Sequence, residues 1–408
     1  MPPSLPSLPV ELKIEILTRL PVKSVMRFTA VSKSWLSLLS DPGFVSAHLS
    51  KGATEQFFCV TKTDLNTRRF ALIDGDNLDG NLTLGPIVKP VREFPLTFSR
   101  FFNPKNSAQI ELVGSFDGLL CLCFLRPDSH PLIMLWNPSI RRHLVLPRPS
   151  ILPPPRKGSH AIGFCVASDR DYRVVWVHEK NMDNPMSVEI YSLNSGKWRI
   201  RRFDDDLFPT RWLYSGQAIL HGRMHWVGFD EDLGDDYIYF SHSITSFDID
   251  EEIFRDIPVP RKLAYSLWDE KISIALVRES LGMMVLYDPF NCDIWVMQDY
   301  GNVDSWTWLY KIDFTPTYND WPIPIVYALN TWKNEGVFSG SRQVIYYVDD
   351  KPCIVPDGEY GDHHLYYVTK YLESLVLLGN KDAVADVHLL QDVAGIMEEE
   401  NAGGGQAI

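Results

Sequence analysis

Between residues 8 and 50 the apolar positions recur at intervals of three and four, and they do so on two flanks at once. Leu12, Ile16 and Leu20 form one helical stripe and Val10, Ile14 and Leu17 another, so a helix starting at Pro9 must be covered on both sides. Pro9 suits a first helical position, where its missing N–H costs nothing, and Glu11 favours the N-terminal end of the helix dipole. Pro21 closes this helix and opens a second over residues 22–29. Ser32 caps a third that carries Trp35, Leu36, Leu38 and Leu39, and Asp41, Pro42 and Gly43 stop it. Three short helices in about forty residues bury too little to stand alone, and with no cysteine among residues 1–50 a partner is the remaining option.

From about Gln56 the period drops to two. Short runs of Val, Ile, Tyr, Phe and Trp are broken every 8–12 residues by Gly, Pro, Asn or Asp, the pattern of an all-β domain. Four segments align as hairpins at the outer edge of a repeating unit: Leu135–His143, Ile190–Trp198, Ser246–Phe254 and Leu286–Trp295. Their polar markers Asn137, Ser192, Asp248 and Asp288 are 55, 56 and 40 residues apart. Ahead of each lies an inner strand pair, seen at Ser115–Leu122, Ile162–Cys165 with Tyr172–Trp176, Gly222–Val227, and Ile272–Leu276 with Gly282–Val285. The pattern predicts a small all-α module followed by a large all-β domain, a β-propeller of about six blades of four strands, with Tyr366–Leu377 closing the ring.

The chain of 408 residues, 45% hydrophobic and 22% charged, is long enough for this division. No run of eighteen apolar residues crosses a membrane and no secretory signal is visible, so an intracellular protein, cytoplasmic or nuclear, is expected. Six scattered cysteines fit reduced thiols. The net charge of −13 lies entirely beyond residue 50, where 34 basic face 49 acidic residues, and no basic stripe stands out for nucleic acid. An acidic domain fits a basic protein partner.

Catalytic or metal chemistry finds little support. Cys121 and Cys123 share one face of an alternating strand without a second pair, and His221 and His225 have the spacing of a helical metal pair but are separated by Gly222 in a strand pattern. Asp117 lies in a turn. No cofactor is expected. Acidic and aromatic residues between strands offer target-binding candidates: Asp205, Trp212, Tyr214, Asp235 and Trp306.

Leu8-Pro9, Glu11-Leu12, Ile16-Leu17, Leu20 to Ser24, Arg27 and Val31 to Trp35 resemble the F-box of plant F-box proteins. Gly114–Leu122, Leu135–Ser139 and Tyr371–Leu375 resemble the F-box-associated domain of the same proteins, including S-locus F-box-like members. The kelch subclass fits less well, because its paired glycines are missing. The resemblance implies an F-box over residues 1–50, a β domain over 51–378 and a flexible acidic tail over 379–408. It implies a non-catalytic substrate receptor of a Skp–cullin–F-box ubiquitin ligase, contacting a Skp-type adaptor, and through it cullin, by Leu8, Pro9, Ile16, Leu17, Leu20, Pro21, Val25 and Trp35. Two other readings stay open: a sugar- or ligand-binding propeller with a helical cap, and an F-box scaffold outside ubiquitination.

Overall fold

The computed structural model describes residues 8–51, 55–62, 68–74, 92–94, 109–125, 130–151, 161–178, 186–203, 212–213, 218–233, 238–266, 272–277, 279–288, 291–313, 327–332, 335–339, 344–348, 351–355 and 364–385. Four helices come first: α1 (Val10–Leu17), α2 (Val22–Phe28), α3 (Lys33–Leu39) and α4 (Pro42–Ser50). Ser32 caps α3, its Oγ accepting from the Trp35 amide at 3.3 Å. The expected stop at Asp41-Pro42-Gly43 is instead a start. Asp41 Oδ1 accepts from the amides of Gly43 (2.9 Å) and Phe44 (3.3 Å), and Pro42 takes the first position of α4. Residues that break one helix are the residues that begin another, and here they do both. The fourth helix pins the first two, with His48 Nε2 2.8 Å from the carbonyl of Leu20 at their junction.

Among the described residues the strands form six antiparallel sheets. The first holds β1 (Glu55–Lys62), β2 (Arg68–Asp74) and β3 (Arg92–Phe94), with the late strand β26 (His364–Leu372) along the inner side of β1. The second holds β4 (Gln109–Phe116), β5 (Leu119–Leu125), β6 (Leu132–Asn137) and β7 (Arg142–Val145), and β27 (Val384–Ala385) is added outside β7. The third runs β8 (Ala161–Val166), β9 (Tyr172–His178), β10 (Ser187–Ser192) and β11 (Lys197–Arg202). The fourth is built on the long hairpin β14 (Arg223–Leu233) and β15 (Ile238–Asp248), with β12 (Trp212–Leu213), β13 (Ala218–Leu220), β16 (Ile253–Ile257) and β17 (Tyr265–Ser266) alongside and α5 (Arg261–Ala264) before β17. The fifth runs β18 (Ile272–Val277), β19 (Ser280–Asp288), β20 (Asn291–Met297) and β21 (Trp306–Asp313), and the sixth β22 (Tyr327–Trp332), β23 (Glu335–Ser339), β24 (Val344–Val348) and β25 (Lys351–Val355).

The inner strands close a ring: β4 lies against β8, β8 against β14, β13 against β18, β18 against β22, β22 against β26 and β26 against β4. This is a β-propeller, shut by pairing its last long strand with its first. Three of the aligned hairpins are the outer pairs β6–β7, β10–β11 and β15–β16. The fourth, Leu286–Trp295, is the central pair β19–β20, one turn earlier in its sheet. The outer pair of that sheet turns at residues 298–305, which accounts for the short spacing of 40 before Asp288.

Three distant segments meet where the ring shuts. The side-chain amide nitrogen of Asn137 donates to the carbonyl of Ser374 (3.1 Å), the hydroxyl of Ser374 (3.1 Å) and the carbonyl of Val376 (2.8 Å). Tyr371 Oη lies 2.6 Å from Ser139 Oγ and donates to Asn137 Oδ1 at 3.3 Å. Asp117 and Gly118 both have positive φ (49° and 74°) in a two-residue hairpin, and a side chain at Gly118 would strike the Leu372 carbonyl and Ser374 Oγ, at 2.7 Å from the latter. Arg142 then donates to the carbonyl of Leu378 at 3.0 Å, steadying a turn in which Leu377 holds φ 74°.

The helices sit on this closure. Leu17, Val22, Val25, Leu39 and Phe44 share one buried cluster with Ile140, Leu144, Leu375 to Leu378 and Ala383. A Cβ on Gly379 would lie 2.6 Å from the carbonyl oxygen of Ser40, so only glycine lets the two backbones approach this closely. Residues 379–385, expected to begin a flexible tail, are instead part of the propeller's edge through β27.

Asn137→Ala would strand the buried carbonyls of Ser374 and Val376, at a cost on the order of 3 kcal/mol. The expected result is a lower urea midpoint together with faster amide exchange in α1 to α4; unchanged exchange in the helices would show that they do not depend on the closure.

Candidate docking surface

Each stripe of α1 is divided, its last residue turned to the core and its first exposed. Leu17 is 3% exposed, and Ile14 and Leu20 pack against the buried cluster that the helices share with the propeller. Leu12 and Ile16 are 50% and 52% exposed, on the flank that faces away. Leu8, Val10, Val31 and Leu36 are exposed as well, giving six large apolar side chains on a module of four helices. Completing the burial of such a half-exposed side chain contributes roughly 1 kcal/mol. Charged neighbours hold the frame: Glu15 pairs with Arg19 and Lys51, which together keep its carboxyl below the usual range, and Lys51 is the larger cause.

The eight residues that the sequence resemblance assigns to adaptor contact fall into two groups. Leu8, Pro9, Ile16 and Pro21 are exposed, and Leu20 and Trp35 are half-buried. Leu17 and Val25 are buried in the chain's own core, so they support the exposed flank rather than belong to it. Trp35 stacks on Phe28 with ring centroids 5.4 Å apart and packs against the same core. Sequence reasoning did not single out Leu36 or Val31 for contact. Leu12 was legible from its place in the outer stripe with Ile16.

Of the target-binding candidates, Trp306 is corrected. It is 7% exposed in the core of the fifth sheet, with Nε1 donating to the Pro258 carbonyl at 3.4 Å, while its strand neighbour Trp308 is 52% exposed. Trp212 contributes its backbone to β12, pairing with Phe229. Asp205, Tyr214, Asp235 and the Trp212 side chain lie outside the described residues.

Cys121 and Cys123 are fully buried on β5, and burial pushes both thiols well up. Among the described residues no group of three or more His, Cys, Asp or Glu could hold a metal, and no helix is long and apolar enough to cross a membrane. His221 and Gly222 form the positive-φ turn between β13 and β14, which places His225 on a strand. His225 is fully buried, with Nδ1 3.1 Å from the Ala218 carbonyl and Nε2 2.6 Å from Tyr300 Oη. A carbonyl can only accept, so Nδ1 carries the proton and Nε2 accepts from the tyrosine. Burial pushes the imidazole down to about 4. It is a neutral strut between two sheets.

Comparison with known proteins separates the same two regions. Residues 5–46 match the family described as F-box domain, and residues 69–378 match F-box associated beta propeller domain. F-box protein CPR1 of Arabidopsis thaliana is 27% identical over 75% of this chain and 73% of its own length. F-box/kelch-repeat protein At3g23880 of the same plant is 25% identical over 75% of this chain and 79% of its own. Among solved structures, the beta-propeller domain of the Trilobed protease from Pyrococcus furiosus aligns at a TM-score of 0.38 and 10% identity, over 65% of this chain and 80% of that one.

His225 sets a pH dependence of its own. The unfolded chain takes up this proton near pH 6.5 and the folded chain only near 4, so the stability it confers is complete above the higher value and is lost as pH falls between the two. By pH 5 the loss is about 2 kcal/mol. Urea midpoints should fall from pH 7.5 to pH 5 more steeply in the wild type than in His225→Gln; equal slopes would remove His225 as the source.

Proposed function

The chain belongs to the F-box proteins that carry an F-box associated beta propeller domain, and we propose that it is the target-recognising subunit of a Skp–cullin–F-box ubiquitin ligase. Residues 8–50 dock a Skp-type adaptor and through it cullin, and the propeller holds a target protein. The observation that carries this reading is the division of α1: Leu17, Ile14 and Leu20 turn to the buried cluster while Leu12 and Ile16 stay exposed. A helical module serving only as a cap would not need a second apolar flank.

In this role the chain supplies no reacting group. It raises the effective concentration of target lysines near a ubiquitin-charged enzyme, a contribution of proximity that depends on how firmly the two ends of the chain are held together. The shared cluster beneath α1 to α4, the 2.6 Å limit at Gly379 and the Arg142 bonds to the turn provide that firmness. The capped-propeller reading draws on the same cluster, but leaves Leu12, Ile16 and Leu36 without a role.

Co-expression of the full chain with a Skp-type adaptor tests the assignment. Ile16→Asp and Leu12→Asp should each weaken the complex 100-fold or more while the melting temperature stays within about 2 °C, because neither side chain is in the core. Val25→Asp, by contrast, should unfold the helices outright. Full binding by Ile16→Asp would move the capped propeller to first place, and a stable adaptor complex that never changes target turnover would favour a scaffold.

A further inference from the structure

The third sheet ends in a strand unlike the rest of this acidic chain. β11 reads Lys197-Trp198-Arg199-Ile200-Arg201-Arg202, four cations in six residues on a protein of net charge −13. It is a basic stripe after all, masked in the sequence by the Trp and Ile between the charges. Lys197, Arg199, Ile200, Arg201 and Arg202 are exposed, and among the described residues β11 pairs only with β10.

The phase of that pairing is fixed by one bond. The Phe203 amide donates to the Met186 carbonyl at 3.0 Å, directly opposite it in register. Hydrogen-bonded and non-bonded pairs alternate along an antiparallel ladder, so Arg201, Arg199 and Lys197 turn their peptide groups towards β10. Trp198, Ile200 and Arg202 turn theirs outward, three consecutive docking points for another strand.

Two observations say what fits there. On the neighbouring sheet the corresponding outer strand β7 is already extended by β27, with Val384 opposite His143 and Ala385 opposite Arg142, so an outer edge of this ring does take an added strand. The cations of β11 already hold a carboxylate as well: Arg199 grips Glu252 from the next sheet, with its other nitrogen at 2.7 Å, and Arg201 Nε lies 3.9 Å from the same group. Among the described residues Lys197 and Arg202, at the two ends of the strand, have no such partner.

We propose that the outward edge of β11 binds an extended acidic segment of another protein as an added strand. Main-chain bonds to Trp198, Ile200 and Arg202 would supply affinity, Lys197, Arg199 and Arg201 on one face of the strand would select carboxylates, and Trp198 and Ile200 on the other would favour aliphatic residues. The same charges forbid the edge from pairing with its own copy, since that would set four cations against four. This surface is separate from the helical docking flank and does not depend on the adaptor.

The test uses the full chain and a labelled eight-residue peptide of alternating Glu and Val, followed by fluorescence anisotropy. Saturable binding is expected, weakened at least tenfold between 50 and 300 mM salt. Ile200→Pro removes an outward N–H without touching the ladder to β10 and should weaken binding tenfold or more with an unchanged melting temperature. Lys197→Glu with Arg201→Glu, both exposed and on the face that meets the glutamates, should do the same and keeps the test decisive if the proline disturbs the strand. Absence of saturable binding overturns the proposal. So would indifference to both variants, or equal or better binding of a Lys–Val peptide or of single-stranded RNA.

Discussion

One side-chain amide carries an unusual share of this fold. The nitrogen of Asn137 serves three acceptors on Ser374 and Val376, more than 230 residues away, and it does so in full burial where none of the partners could turn to water instead. The ring's closing strand, the tight turn at Gly118 and the Arg142-held turn at Leu377 are all arranged around it. The helical module is seated on the product of that closure, so the surface it exposes depends on a bond at the far side of its own core. Loop-closure entropy rises only slowly with length, so tying such distant segments costs little more than tying nearer ones. What is expensive is leaving the acceptors unmet.

The helices show which parts of such a structure can be read from a sequence. Local periodicity marked both flanks of α1 as apolar, and the structure turns Leu17, Ile14 and Leu20 to the core while Val10, Leu12 and Ile16 stay exposed. It could not tell the Asp41-Pro42-Gly43 stop from a start, because the residue types that end a helix without penalty are those that cap the next. The assignment of Leu17 and Val25 to contact came from resemblance alone, and their burial beneath the flank depends on propeller residues near 140 and 376 that no periodicity links to them.

The β region follows the same rule. Outer hairpins at Asn137, Ser192 and Asp248 repeat at 55 and 56 residues because each sheet is one unit of similar length. The hairpin at Asp288 has the same local chemistry but lies one turn earlier, and only the interval betrayed it. Trp306 and Trp308, two residues apart on β21, share a face by alternation and still differ in exposure, because Trp306 meets the end of the fourth sheet at Pro258 and Trp308 stays exposed. Charge summed over a whole domain concealed β11 in the same way, since a strand's field is set by its own few residues.

The contact between Ser40 and Gly379 also has a consequence in time. The helices emerge from the ribosome before the propeller, yet the turn that supports them comes more than three hundred residues later. At ordinary rates of synthesis that interval is roughly 20 to 70 s. Throughout it Leu17, Val25 and Leu39 lack the part of their cluster that Leu375 to Leu378 and Ala383 supply. A module translated ahead of the propeller is thus fully seated only once Gly379 has been added.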